Sequence, residues 1–261
     1  LEGLAEARSN LAVPLVVGNR LAGVLNVESE RIDAFSAEHE RPLTGTGAQA
    51  ALALANDPTV IGVVGSSCSD ATVGGIQTIT ESGLTAISGS ATRNIFTAED
   101  RGPELDGFLR TAFPDAFQGE LVADFIFNEL GLTKAATIHD GSAYAEGLVN
   151  DFAGSFTALG GEITVAEAVT AGQTDMNPVL TNVAASEPEI IYFPIFTDTG
   201  GFIADQVGDV AGLEDVTLMG SDGLFSLDFV DAAGPNVEGM YLSSPPQDLG
   251  DIYDSMVERY L

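Results

Sequence analysis

The chain has 261 residues, with 39 acidic against 9 basic and a formal charge of −30 at pH 7. That balance argues against nucleic acid as a partner, since phosphate backbones are bound by clustered Lys and Arg, and it repels anionic membrane surfaces. No apolar run approaches the roughly 18 to 20 residues of a membrane span, and the one cysteine, Cys68, cannot form an internal disulfide or a Cys-based zinc site. The length allows two lobes with separate cores, and the acidic residues are scattered, as on a solvated, self-repelling surface.

In chain order, Val13 to Val17 and Gly23 to Val27 flank Gly18-Asn19, a two-residue hairpin signal. Ser36 before Glu38 opens a capped helix that continues through Gln49 to Leu54. Val60 to Val64 is apolar without alternation, as in a strand buried on both faces of a parallel sheet. It ends in Ser66, Ser67 and Ser69, and Ala71 to Ser82 then carries Val73, Ile76 and Ile79 at helical spacing. Thr85 to Ile87 is a second short strand, followed by Ser88, Ser90 and Thr92. Two hydroxyl-rich loops thus converge on one helix N-terminus, where free backbone N–H groups suit a carboxylate or phosphate. Ser and Thr are equally ordinary helix caps.

The stretch Ile95 to Phe113, with Gly102, Pro103, Gly107 and then Pro114, breaks the rhythm and reads as a loop and crossover between lobes. Beyond it the pattern is regular. Helices are predicted at Gln118–Leu130, Tyr144–Leu159 (stopped by Gly160-Gly161), Asp175–Ala185 and Gly200–Val210. Strands are predicted at Ala135–His139, Glu162–Val169, Glu189–Phe193 and Val216–Met219. This βα alternation implies a parallel sheet with right-handed crossovers. A second break at Ser243-Ser244-Pro245-Pro246 gives two crossings between lobes, an arrangement that permits a hinge.

Taken together, NDPTVIGVVGSSCSDAT (56–72), ISGSAT (87–92), RTAFPDAFQG (110–119), IHDGSAYAEGL (138–148), TAGQTDMNPVLTNV (170–183), PEIIYFP (188–194), LMGSDG (218–223) and VEGMYLSSP (237–245) resemble, in order, the leucine/isoleucine/valine-binding family of type I periplasmic binding proteins. The resemblance implies an α/β, two-lobe type I periplasmic-binding-protein fold with parallel sheets, its first lobe incomplete. By position it implies a ligand site at Ser69, Ser90, Ala91, Thr92, Tyr144, Phe196 and Asp222. The chemistry of these residues agrees. Hydroxyls of Ser69 and Thr92 with loop N–H groups suit an α-carboxylate, Asp222 suits an α-ammonium, and Tyr144 and Phe196 would enclose the side chain. Two departures bear on the ligand: Phe196 stands where the family often has an aromatic hydroxyl, and Asp222 where branched-chain binders carry the longer Glu. Read without the resemblance, Asp222 is equally a turn residue, Tyr144 a cap on a core edge and Phe196 a core residue.

Residues 11–43 resemble the end of a GAF domain, a VPL strand, a Gly-Asn turn, a GVLNVES strand and AFSAEHER opening the last helix. The implied organisation is a GAF-like fragment, hairpin plus helix, at 1–55, an incomplete first lobe at 56–116 and 246–261, and a second lobe at 117–245. So short a piece carries no GAF ligand pocket, and its strands are expected to pair beside the Val60 strand in place of missing ones. The family implies a branched-chain amino-acid ligand, delivery to an ABC-transporter permease, a periplasmic or extracellular location and no cofactor, although no signal peptide begins at Leu1. The alternative is a ligand-sensing module of a receptor or signalling protein. An enzyme with Cys68 as nucleophile and His139 or His39 as base lacks any nucleophile elbow or metal spacing.

Overall fold

The computed structural model describes residues 9–17, 20–29, 47–170 and 172–245. The turn at Gly18-Asn19, the helix start at Ser36, His39 and the segment 246–261 lie outside them.

β1 (Ser9–Val17) and β2 (Arg20–Ser29) pair antiparallel with each other, with one irregularity between Leu15 and Val16. They form a sheet of their own, so the expectation that the hairpin extends the Val60 sheet is not met. Strands of a hairpin run in opposite directions, whereas the three-stranded sheet is wholly parallel and gains strands through long crossovers.

Helix α1 (residues 47–55) leads into β3 (Val63–Val64), α2 (Ser69–Glu81) and β4 (Ala86–Ser88). The third strand, β5 (Phe108–Arg110), lies in the stretch read from sequence as loop and crossover. It is three residues long, too short for a periodic signal, and its sheet order is β3-β4-β5. The row Val63, Ala86, Phe108 is in register. It packs with Ala51, Ile76, Ile79, Phe96 and Leu105 into one core. β3 is shorter than predicted, since only Val63 and Gly65 donate to a neighbouring strand, through the carbonyls of Thr85 and Ile87 at 2.9 Å each.

The larger sheet contains β6 (Lys134–His139), β7 (Glu162–Ala168), β8 (Ile190–Tyr192), β9 (Thr217–Gly220) and β10 (Tyr241–Leu242), all parallel, in the order β10-β9-β8-β6-β7. Alternate residues of the same strands serve opposite faces. Ala136, Ile138, Ile191, Phe193 and Leu218 join one core, with α5 (Asn177–Ala185), α6 (Thr197–Val207) and α7 (Leu227–Ala233). Ala135, Ile190, Tyr192 and Met219 join the other, with α3 (Asp115–Asp124), its π-type extension Phe125–Glu129, and α4 (Ala143–Leu159).

Helix ends follow local chemistry. Ser142 caps α4, its hydroxyl accepting from Ala145 N at 3.1 Å, and Gly160 at φ 103° ends it as predicted. α6 begins a turn earlier than predicted because Gly200-Gly201 lies inside it. A Cβ on Gly201 would sit 2.8 Å from Ala232 Cβ, so the glycine lets α7 approach.

Candidate functional site

Every residue of the predicted site lies at the carboxyl end of a strand. Ser69 opens α2 after β3, and Ser90, Ala91 and Thr92 follow β4. Tyr144 follows β6, Phe196 follows β8, and Asp222 follows β9. In chain order the large sheet reverses direction between β6 and β8, and the crevice beyond such a switch point is where open α/β sheets hold ligands.

On the large lobe the three side chains meet. The rings of Tyr144 and Phe196 are 5.4 Å apart. The Tyr144 hydroxyl lies 2.8 Å from Ser221 Oγ and 3.0 Å from Asp222 Oδ1. Burial dominates in raising the Tyr144 pKa well above its ordinary value, with the negative charge of Asp222 next, so the phenol stays a neutral donor. Gly223 lets the turn close, since a Cβ there would stand 2.8 Å from the Ile195 carbonyl oxygen and against the Phe196 ring.

On the smaller lobe the hydroxyl loops are tied to each other. Ser88 Oγ donates to the Ser66 carbonyl at 2.6 Å and accepts from Ala91 N at 2.9 Å. Ser90 Oγ donates to the Ser67 carbonyl at 2.7 Å, and Ser69 Oγ accepts from Arg93 N at 3.3 Å. The clusters therefore shape the two loops around the N-terminus of α2 and spend most of their own hydrogen-bonding capacity in doing so. The Thr92 hydroxyl differs: it is buried and has no hydrogen-bond partner of full geometry. Its carbonyl accepts from Asp115 N at 2.9 Å and from the Arg110 guanidinium at 2.7 Å.

The two halves are joined by hydrogen bonds between neighbours of site residues. Asp70 Oδ1, beside Ser69, accepts from the backbone N–H of Ala143, beside Tyr144, at 3.0 Å. Asn94 bridges in the same way, donating to Asp151 Oδ2 at 2.7 Å and accepting from Ala116 N at 2.9 Å.

Three groups were not singled out from the sequence. Gln118 donates to Asp222 Oδ1 at 2.8 Å and to Ser243 Oγ at 3.0 Å. Asp115, 1% exposed, has a carboxyl that no hydrogen bond of full geometry reaches. Burial lifts its pKa to about 6, the Thr92 hydroxyl and Arg110 pull it down, and Asp151 and Asp222 push it up. Tyr192, fully buried near Asp222 and Asp115, also keeps its proton. Gln118 and Asp115 fall inside RTAFPDAFQG, where a buried acid at the first turn of a helix was the available signal.

His139 Nδ1 accepts from Gly141 N at 3.2 Å, the role of a loop-shaping side chain. Among the described residues no group of His, Cys, Asp and Glu could hold a metal ion, and no helix is long and apolar enough to cross a membrane.

Comparison with known proteins gives the same fold and names a family. Residues 19–261 match the family described as Periplasmic binding protein, a span that takes in most of the GAF-like segment. An amino acid binding protein of Pseudomonas aeruginosa is 31% identical over 181 residues, covering 69% of this chain and 47% of the relative. A Leu/Ile/Val-binding protein homolog of Brucella melitensis is 30% identical over 161 residues, covering 62% and 42%. The chain thus spans about half the length of the curated relatives it matches. Among solved structures, the branched-chain amino acid transporter substrate binding protein LivJ from Streptococcus pneumoniae, in complex with isoleucine, superposes with a TM-score of 0.69 at 26% identity, over 83% of this chain and 61% of that one. The leucine binding protein LivK from Thermotoga maritima gives 0.71 at 23% identity, over the same shares. With its parallel sheets and this match over residues 19–261, the chain belongs to the periplasmic binding protein family.

Proposed function

We propose that this chain binds a small amino acid of branched-chain type between its lobes, as part of a substrate-binding protein serving ABC-transporter uptake. What supports the reading is the chemistry of two complementary ends, one on each lobe. The Asp222 carboxylate on the large lobe suits an ammonium, while the N-terminus of α2 with the buried Thr92 hydroxyl on the small lobe suits a carboxylate. Tyr144 and Phe196 supply an apolar wall between them. Named relatives that bind leucine, isoleucine and valine support the side-chain class.

In this reading Ser69, Ser90 and Ala91 act through their loops: they set the backbone N–H groups that meet the ligand, and Ser69 and Thr92 add hydroxyls. Ligand then favours the closed arrangement because only there do both lobes touch it. Delivery to a membrane permease from a periplasmic or extracellular location completes the proposal, with no cofactor and no covalent chemistry.

The test is a thermal melt of the chain with and without a panel of amino acids, since a ligand that binds only the folded state raises the midpoint. A shift confined to leucine, isoleucine and valine is the expected result. No shift with any amino acid, or the same shift with acidic and basic ones, would contradict it.

A further inference from the structure

The Asp222 carboxylate is held from one side only. Its Oδ1 takes both the Gln118 amide, at 2.8 Å, and the Tyr144 hydroxyl, at 3.0 Å, while no hydrogen bond among the described residues reaches Oδ2. Gln118 lies in the second turn of α3, 104 positions from Asp222 and 125 from Ser243, so the contact is tertiary and not a by-product of a local turn. The orientation of its amide is set by chemistry. A carboxylate only accepts, so nitrogen faces Asp222, and Ser243 Oγ, which donates to the Gly220 carbonyl at 3.3 Å, has a lone pair left for the second N–H. Both amide hydrogens are therefore used, and the side chain forms a fixed strut between α3 and the ends of β9 and β10.

We propose that Gln118 is the positioning residue for recognition of the ligand's amino group: by occupying Oδ1 together with Tyr144, it leaves Oδ2 as the oxygen that receives the ammonium. The proposal rests on the reading of Asp222 given above. It also addresses the shorter acid at this position. An Asp has less reach than a Glu and gains nothing from free rotation, so its value to an ammonium depends on being held in one orientation before the ligand arrives. A preorganised charged acceptor of this kind discriminates between an ammonium and a neutral hydroxyl in its place, because only the ammonium makes a charge-assisted hydrogen bond to it.

The experiment is calorimetric titration of the full chain with L-leucine and with 2-hydroxy-4-methylpentanoate, which carries a hydroxyl in place of the ammonium. Parent, Gln118→Leu and Asp222→Asn are compared. Gln118→Leu is expected to weaken leucine about tenfold and the hydroxy acid less than about twofold, and Asp222→Asn to weaken leucine further with the same selectivity. If Asp222→Asn lowers the preference for leucine and Gln118→Leu does not, the positioning role is overturned while the Asp222 reading stands. Equal weakening of both ligands by Gln118→Leu also overturns it, as a packing effect. If neither substitution changes the preference, or the parent binds neither compound, the Asp222 reading itself fails and this role with it. Should Gln118→Leu fail to fold, Ser243→Ala, which frees the far side of the amide, is expected to give a smaller selective loss, and an unselective one would contradict the role.

Discussion

The two parallel sheets of this protein are built from the same kind of strand and are covered very differently. The five-stranded sheet sends alternate residues into two cores, one beneath α3 and α4 and one beneath α5, α6 and α7. Among the described residues the three-stranded sheet has a core on one face. On its other face Val64, Ile87 and Leu109 stand side by side in register. They are 92%, 38% and 50% exposed. Parallel strands are apolar on both faces because they are normally covered on both. The difference teaches that the two halves of the proposed site rest on unequal foundations: the proposed ammonium end on a doubly covered sheet, and the proposed carboxylate end on loops held largely by their own hydrogen bonds.

The strongest way to break that comparison is to empty each core. Phe152, fully buried between α4 and the large sheet, is expected to cost about 3 to 5 kcal/mol as Phe152→Ala, read as a loss of global stability in denaturant. Phe108→Ala in the small core should open that sheet locally, so that amides of β4 and β5 exchange quickly while those of β6 and β8 stay protected. Uniform loss of protection across both sheets would show that they unfold as one unit.

Next in size is the pH dependence held by Asp115, at the start of the helix that follows the crossing. Its pKa is about 6 in the fold against an ordinary 3.8, burial being the largest cause. Between those values the folded protein keeps a proton that the unfolded chain has released, so this contribution falls as pH rises through that window and is flat above it. The expected difference is about 3 kcal/mol, and Asp115→Asn should remove it, as measured by urea midpoints across pH 4 to 7. An unchanged slope in the variant would assign the titration elsewhere, Asp151 being the neighbouring carboxyl that burial also raises.

Ligand recognition sharpens the comparison further. Asp222→Asn keeps shape and removes charge, and should cost about 1.5 to 3 kcal/mol of amino-acid affinity. Asp70→Ala removes the cross-lobe bond to Ala143 N without touching the ligand's ends. It should weaken affinity by about 1 kcal/mol and widen the solution scattering profile of the unliganded protein. Smallest is Val64→Thr, a substitution on the uncovered face, expected to change stability by less than about 0.5 kcal/mol while reducing self-association at high concentration.

The sequence was most informative where physics is repetitive. Continuous apolar runs in β6 and β8, and the Gly160 end of α4, could be read directly because burial and capping leave local signals. β5 could not, being three residues wedged between turns and defined by its register with Ala86 and Ile87. The start of α6 was read three residues late, at Gly200 in place of Thr197. The residues of the proposed site came from family motifs, whereas the contacts of Gln118 and Asp70 were not legible in the sequence. Both act on groups far away in the chain, Gln118 on Asp222 and Asp70 on Ala143, and no local pattern encodes such a pairing.

The most direct test of a site shared by unequal halves is backbone amide exchange with and without saturating L-leucine. The account expects protection in both lobes, at 69–72 and 91–93 in the small one and at 143–145 and 221–224 in the large one. Protection confined to the large lobe, with the loops after β3 and β4 unchanged, would contradict it.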